Sequence, residues 1–357
     1  MVQALTAAHN RGVSIRVITD NTRMDDAWVA QLRGSGIVVR SDSISSNSSN
    51  YMHNKFVIRD LADDDSTNDW LWIASYNPNE GELNADCAMG IPGTSLAQAY
   101  RAEFEQMWGG SGPQPNPAQA RFHTGRVDVL PSHRFTVNGS PAWLYFAPQD
   151  RVVDTITSFA ARAERELAFA VNSFTYDDLG DEMLALWNQS ERVFGTFDRA
   201  NVGDSVSEYY RLRRAGVRVL IDSVPYGSKT LHEKIMVIDS AFTVTGSANR
   251  SNNANYSNDE NTLILSDAAV ANRFHAEVVT RYIEAGGTYA PALTELPLRP
   301  LRRSLTPLPS PGSGALPPSI EVFDAVGRRT QPYRLGTGVY FAWMPGRAHG
   351  AALIVIR

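Results

Sequence analysis

A chain of 357 residues is long for one ordinary domain, and its 43% apolar content is enough for a sizeable core, so a two-lobed body is expected. The net charge of −5 excludes the global basic footprint that drives unspecific nucleic-acid binding, and a lone cysteine, Cys87, excludes a disulfide framework and a cysteine-built zinc site. No stretch approaches the length of a membrane span.

In chain order, "VQALTAAHN" reads as a polar helix leading into the strand "VSIRVI", with no signal-peptide pattern. "LRGSGIVVRSD" (Leu32 to Asp42) is a helix end, a glycine C-cap and a strand. "HNKFVIRD" (His53 to Asp60) sets a His and a Lys ahead of an apolar strand. The acidic run from Ala62 to Trp70 lacks EF-hand spacing and a turn glycine, and is expected to be a solvated hairpin loop rather than a calcium site. "WIASYNPN" (Trp72 to Asn79) and "NAD" (Asn84 to Asp86) follow, and "GGSGPQPNP" punctuates the chain. Then come the strand "AWLYFAP", a helix around Val152 to Glu164 and the strand "ELAFAVNSF". Further on, "HEKIMVID" (His232 to Asp239) repeats His-x-Lys-x-x-x-x-Asp ahead of an apolar stretch. The cluster Arg211, Arg213, Arg214 and Arg218 before it is expected to be a solvated face rather than a phosphate track.

The flanks repeat as well. "VSIRVITDN" matches "RVFGTFDRA", "LRGSGIVVRSD" matches "LRRAGVRVLID", "WIASYNPN" matches "TGSANRSN" and "NAD" matches "NDE". A repeat of this length means two copies of one α/β unit, not a solenoid. The expected organisation is a first lobe over 1–112, an inter-lobe linker over 113–140, a second lobe over 141–290, a Pro-rich linker over 291–319 and a small β module over 320–357. The first copy lacks the strand, helix and strand that open the second, about 40 residues by alignment of the copies, and the chain is therefore expected to be truncated at its front.

The repeated triplet carries chemistry. Alternation along a strand puts His53 and Lys55 on one face, and His232 and Lys234 likewise, with Asp60 and Asp239 at the strand ends. Phosphodiester cleavage without a metal needs a nucleophile, a proton donor for the leaving oxygen and positive charge against the equatorial oxygens. Two imidazoles can serve as nucleophile and general acid, and two lysines as the cationic clamp. Asn77 and Asn249 can donate amides to the same oxygens, assisted by Ser75 and Ser247, while Asp86 and Glu260 can orient the imidazoles. Each half is incomplete alone, so the two are expected to meet across a pseudo-twofold axis. His123, His133, His275 and His349 have no motif companions and are expected to be structural or exposed.

"HNKFVIRD…ASYN…NAD" and "HEKIMVID…GSAN…NDEN" resemble the paired HKD motifs of the phospholipase D superfamily, over residues 1 to about 290. The resemblance implies two phospholipase D-like α/β lobes, mixed sheets flanked by helices, and a ping-pong phosphodiesterase with a phosphohistidine intermediate and neither metal nor cofactor. It carries His53, Lys55, Asp60, His232, Lys234 and Asp239 over as the catalytic set, with His53 as nucleophile and His232 as general acid. Ala74 stands where the family has Gly, and Asp86 where it has Glu, which bears on which His does which job. The short lobes are similar to the nuclease and cardiolipin-hydrolase branch, so the implied substrate is a phospholipid or nucleic-acid phosphodiester. A non-catalytic binding or surface module is the alternative, and complete motifs in both copies speak against it. The segment "EVFDAVGRR…GVYFAWM…ALIVIR" is similar to type IX secretion sorting domains, which implies a secretion-machinery partner and a secreted or cell-surface location.

Overall fold

Short apolar strands alternating with amphipathic helices give each half of the chain a mixed α/β layout. The computed structural model describes residues 1–43, 50–61, 64–77, 84–189, 192–203, 206–222 and 230–290, together with four short strands nearer the C-terminus. The first lobe runs α1 (Val2–Asn10), β1 (Arg16–Thr19), α2 (Ala27–Gly34), β2 (Val38–Ser41), β3 (Phe56–Arg59), β4 (Trp70–Ala74), β5 (Cys87–Pro92) and α3 (Thr94–Trp108). The second runs β6 (Arg134–Val137), β7 (Ser140–Ala147), α4 (Val152–Ala160), β8 (Glu166–Val171), α5 (Asp177–Asn188), β9 (Arg192–Phe197), α6 (Glu208–Arg214), β10 (Arg218–Ile221), β11 (Lys234–Ile238), β12 (Phe242–Gly246), α7 (Asn252–Tyr256), β13 (Glu260–Ser266) and α8 (Ala268–Glu284).

The second lobe's sheet has the order β10-β9-β8-β11-β12-β13-β7-β6. β8, β9 and β10 are parallel, and β8 meets β11 antiparallel. Every residue of β8 and β11 is buried, as their unbroken apolar runs require of strands covered on both faces. One cover is α8, where Asp267 accepts from the Ala269 and Val270 amides and Val270, Phe274 and Val278 form a buried stripe at helical spacing. The other is the pair α4 and α5, whose Val153, Ile156, Leu179 and Met183 pack with Phe169 and Met236 from the sheet. Gly195 in β9 is forced by this packing, since a Cβ there would stand 2.5 Å from the Phe169 carbonyl oxygen.

The first lobe repeats the scheme with a difference. β1 and β2 are parallel and form a sheet of their own, while β3, β4 and β5 make an antiparallel meander equivalent to β11, β12 and β13. Among the described residues no strand joins β1 to β3 as β8 joins β9 to β11. Of the C-terminal strands β14 (Glu321–Phe323), β15 (Arg329–Thr330), β16 (Val339–Trp343) and β17 (Ala352–Ile356), the last lies parallel to β5, with Ala352 opposite Cys87. The expected Pro-rich linker, 291–319, lies outside the described residues, as does His349.

One core serves both lobes. Leu71, Ile73 and Met89 of β4 and β5 and Tyr100 of α3 pack with Phe146, Ile235 and Leu263 of the second lobe. Tyr100 meets Phe56 and Phe146 edge-on, each with ring centroids 5.0 Å apart. The segment expected to be a linker, 113–140, carries the edge strand β6 and a short turn at His123–Gly125, and Phe122, His123 and Arg126 in it are buried.

Candidate active site at the lobe interface

The two motif segments reach the interface just ahead of β3 and β11, and each is held there by main-chain hydrogen bonds to the other lobe. His53 N–H donates to Asp259 C=O (2.9 Å), and Asp259 N–H to Tyr51 C=O (2.9 Å). On the opposite side His232 N–H donates to Ala85 C=O (2.8 Å), and Ala85 N–H to Thr230 C=O (3.0 Å). The isolated bridges Met52 with Asp259 and Ala85 with Leu231 are therefore pseudo-twofold equivalents. Asp20 and Asp198 complete the symmetry, accepting from the Met52 and Leu231 amides at 3.0 Å each.

This exchange crosses the side chains. His53 Nδ1 lies 2.8 Å from Glu260 Oε2, and His232 Nδ1 lies 2.8 Å from Asp86 Oδ1, so each lobe's imidazole is oriented by the other lobe's carboxylate. A carboxylate at Nδ1 favours the tautomer that carries its proton there, leaving Nε2 with its lone pair. Among the described residues neither Nε2 has a partner. Ser75 donates to Asp86 and Ser247 to Glu260, both at 2.6 Å, and both serines are wholly buried. The serines expected to assist at the phosphate thus aim the carboxylates instead.

Lys55 Nζ donates to the His53 carbonyl and Lys234 Nζ to the His232 carbonyl, both at 2.8 Å. Burial and the Lys55 charge push the Lys234 ammonium down to about 7. Burial and the Lys234 charge take His232 down to about 4, and burial takes His53 below its ordinary value against the pull of Glu260. Lys234 also acts on His53, and Lys55 on His232, so all four groups share one electrostatic field. Glu260 is opposed by burial, yet His53, Lys55 and the Ser247 hydroxyl hold its carboxyl below the usual range.

Asp60 and Asp239 require a correction. Asp239 lies beyond the far end of the five-residue β11, about 23 Å of extended chain from His232. Its carboxylate accepts from the amides of Glu164, Arg165 and Glu166, each at 2.9 Å, tying the loop before β8 to β11. Asp60 pairs with Arg59 at the surface. Both belong to the strand's far end and touch no reacting group. Asn77 and Asn249 are half-buried just past the strands; Asn249 Oδ1 is buried with no hydrogen-bond partner among the described residues.

Sequence reading missed Arg250. Fully buried, it donates to the carbonyls of Ala248 (2.6 Å) and Lys234 (3.1 Å), bracing the motif strand against the Ser-x-Asn loop, and burial lowers its pKa to about 10. An arginine directly after the second Ser-x-Asn, inside the Ser- and Asn-rich run "GSANRSNNANYSNDEN", was the available signal. The arginine cluster behaves as expected: Arg211 pairs with Asp181 and Glu208, and Arg213 donates to the Tyr209 hydroxyl. Asp69 of the acidic run is buried, accepting from Leu61 N–H and the Thr94 hydroxyl.

The copies differ in backbone conformation at the residue before the Ser-x-Asn. Gly246 has φ of 143°, and a Cβ there would stand 2.2 Å from the Asn261 carbonyl oxygen. That oxygen accepts from Ser247 N–H at 3.0 Å, so the collision falls on the group that aligns Glu260. At the corresponding place Ala74 ends β4 and donates its N–H to Lys55 C=O (3.0 Å), with no need for positive φ. Gly246→Ala is expected to cost about 2–4 kcal/mol of stability, read as a lowered urea midpoint, whereas Ala74→Gly should cost about 1 kcal/mol.

The sequence model of the cardiolipin synthase, PLD-like domain family matches residues 1–108 and 156–281, more than half of the chain. The mitochondrial cardiolipin hydrolase of Xenopus tropicalis is 35% identical over 112 residues, covering 30% of this chain and 48% of the relative. The phospholipase D of Rickettsia bellii is 33% identical over 89 residues, covering 25% and 43%. The chain spans about half the length of the curated relatives it matches. Among solved structures, the phosphatidylserine synthase of Haemophilus influenzae superposes with a TM-score of 0.56 at 12% identity, over 80% of this chain and 76% of that one, a likeness of fold.

Proposed function

The chain belongs to the phospholipase D superfamily, and from that premise we propose that it is a metal-independent phosphodiesterase acting on phospholipid or nucleic acid through a phosphohistidine. The observation that carries this is the crossed pairing at the interface: two imidazoles, each with Nδ1 held at 2.8 Å by the other lobe's carboxylate, beside two buried lysines. In this reading His53 Nε2 attacks phosphorus, forming a P–N bond as the bond to the leaving oxygen breaks. His232 gives that oxygen its proton. Water then attacks phosphorus, His232 takes the water proton, and the P–N bond breaks to release the phosphate product.

The electrostatics suit this sequence. Without substrate the lysine charges and burial keep both rings neutral near pH 7, so the nucleophile is ready. A phosphodiester anion beside Lys55 and Lys234 cancels part of that field, and His232 can then hold the proton the leaving group needs. Lys55, Lys234, Asn77 and Asn249 form the clamp for the equatorial oxygens, with Ser75–Asp86 and Ser247–Glu260 as the orienting pairs. Export through the 320–357 module remains part of the reading on sequence pattern alone.

Because both cations and both proton-transfer groups are side chains, turnover of a chromogenic phosphodiester is expected to survive an excess of EDTA. Loss on chelation with recovery on adding a divalent ion would overturn the assignment, and no turnover at all would favour the binding-module alternative. The same assay on plasmid DNA and on cardiolipin vesicles sorts the substrates.

A further inference from the structure

His123 has no motif companions in the sequence and was expected to be structural or exposed; it is structural, and the fold gives it charged partners. It is 2% exposed, with φ of 53°, and its ring lies between two carboxylates. Nε2 is 2.9 Å from Asp42 Oδ2, one residue past β2 in the first lobe. Nδ1 is 3.2 Å from Asp259 Oδ2, one residue ahead of β13 in the second, close enough to pair in charge though not aligned as a hydrogen bond. His123 N–H and Arg126 Nη1 both donate to the other Asp259 oxygen, at 2.7 and 2.9 Å, and Arg126 is ion-paired with Glu103 of α3. Arg40 of β2 lies over the neighbouring Phe122 ring. Asp42, Asp259 and Glu103 are all buried; burial raises the Asp259 carboxyl and pushes Glu103 up to about 7, and the charge of Arg126, joined at Asp259 by that of His123, is what favours their ionised forms.

The main chain of Asp259 connects this cluster to the reacting groups. It exchanges hydrogen bonds with Tyr51 and His53, and its neighbour Glu260 holds His53 Nδ1. The pseudo-twofold equivalent in the other half is Ala85, which makes the same backbone exchange with Thr230 and His232 but has no carboxylate to brace. The brace therefore exists on one side of a site that is otherwise nearly symmetric.

We propose that His123 is a positioning residue for His53: as an imidazolium bridging Asp42 and Asp259 it fixes Asp259, and through it His53 and Glu260, while His232 is held independently. The role rests on the reading of His53 as a reacting imidazole. Burial alone would lower the His123 pKa, but the Asp42 hydrogen bond and the charges of Asp259 and Asp42 outweigh it and hold it above its ordinary value. A raised pKa in the folded state means the brace is fully present below about pH 6.5 and weakens as pH rises through the folded value.

The test pairs kinetics with imidazole NMR on the full chain. His123→Ala is expected to lower kcat on a chromogenic phosphodiester by about tenfold to a hundredfold while KM changes less than about threefold. The His53 ring titration should shift and the His232 titration should not. His123→Lys, which restores a cation, should recover part of kcat and flatten the pH dependence between 6 and 8. If His123→Ala fails to fold, Asp42→Asn carries the same readout. Rings that move together, or neither moving, would overturn the role. If the wild-type protein turns over no phosphodiester, the NMR comparison still decides the positioning role, so the two readings fail separately.

Discussion

His53→Asn should reduce turnover by about 10⁴-fold or more and abolish the acid-labile, base-stable phosphoryl adduct on the protein, because among the described residues His232 is the one other imidazole at the crossed pair and in this reading it transfers protons. His232→Asn should instead slow both steps, yet still accumulate the adduct when the leaving group is p-nitrophenolate, which needs no proton. Rapid quench with labelled substrate followed by peptide mapping reads the outcome directly. Label on the peptide that contains His232 would reverse the roles. The pH profile gives a second handle on His232. Its free-site pKa of about 4 leaves few protonated molecules at neutrality, so kcat/KM for an alkoxide leaving group should rise as pH falls below 7, until His53 itself takes up a proton and is lost as the nucleophile. The profile for p-nitrophenolate should lack that rise.

Lys234→Met should lose about 10³-fold in kcat/KM and yet melt at a higher temperature than the parent protein. Lys234 is 1% exposed, and Lys55, buried at 6%, adds its charge to the same field, so the clamp is built from like charges withdrawn from water. A methionine of similar volume removes the desolvation and the repulsion, and with them the charge that stabilises the transition state. The pH dependence has a definite sign. The folded pKa of about 7 lies below the unfolded 10.5, so between those values the unfolded chain binds more protons and this residue makes stability rise with pH. The rise is on the order of a few kcal/mol in total. Urea unfolding at pH 7 and pH 9.5 checks it: the parent should gain over that interval and Lys234→Met should gain less. A variant that is both less active and less stable would mean that Lys234 supports the fold instead of opposing it.

The two-lobed α/β fold was legible because the motif and its flanks occur twice, and because apolar runs such as "KIMVI" have the length and continuity of central strands. That Asp86 and Glu260 lie against imidazoles was open to spacing arguments, but the crossing was not. Which lobe supplies which carboxylate depends on the backbone exchange of Asp259 with residues 51 and 53, and a strand pattern is silent about partners so far along the chain. Asp239 was misread because a recurring spacing does not say which end of a strand does the chemistry, and only the contacts to Glu164, Arg165 and Glu166 reveal an anchor. The partners of His123 were hidden for a related reason. Asp42 and Asp259 lie on different lobes, and the stretch around His123 reads as linker until the fold closes on it.

The lobes keep register at the cleft through amide-to-carbonyl bonds at Tyr51, His53, Ala85, Thr230, His232 and Asp259, and such bonds are indifferent to side-chain identity. A duplicated unit joined in this way can drift in sequence on one side without its reactive rings losing their partners. Ala85 opposite Asp259 is what that freedom permits: one copy carries a buried acid and the attachments that go with it, the other does not, and the same backbone frame serves both. The interface is thus indifferent to side chains where it joins the lobes, and single substitutions around the two histidines are enough to make their surroundings unequal on a scaffold that stays put.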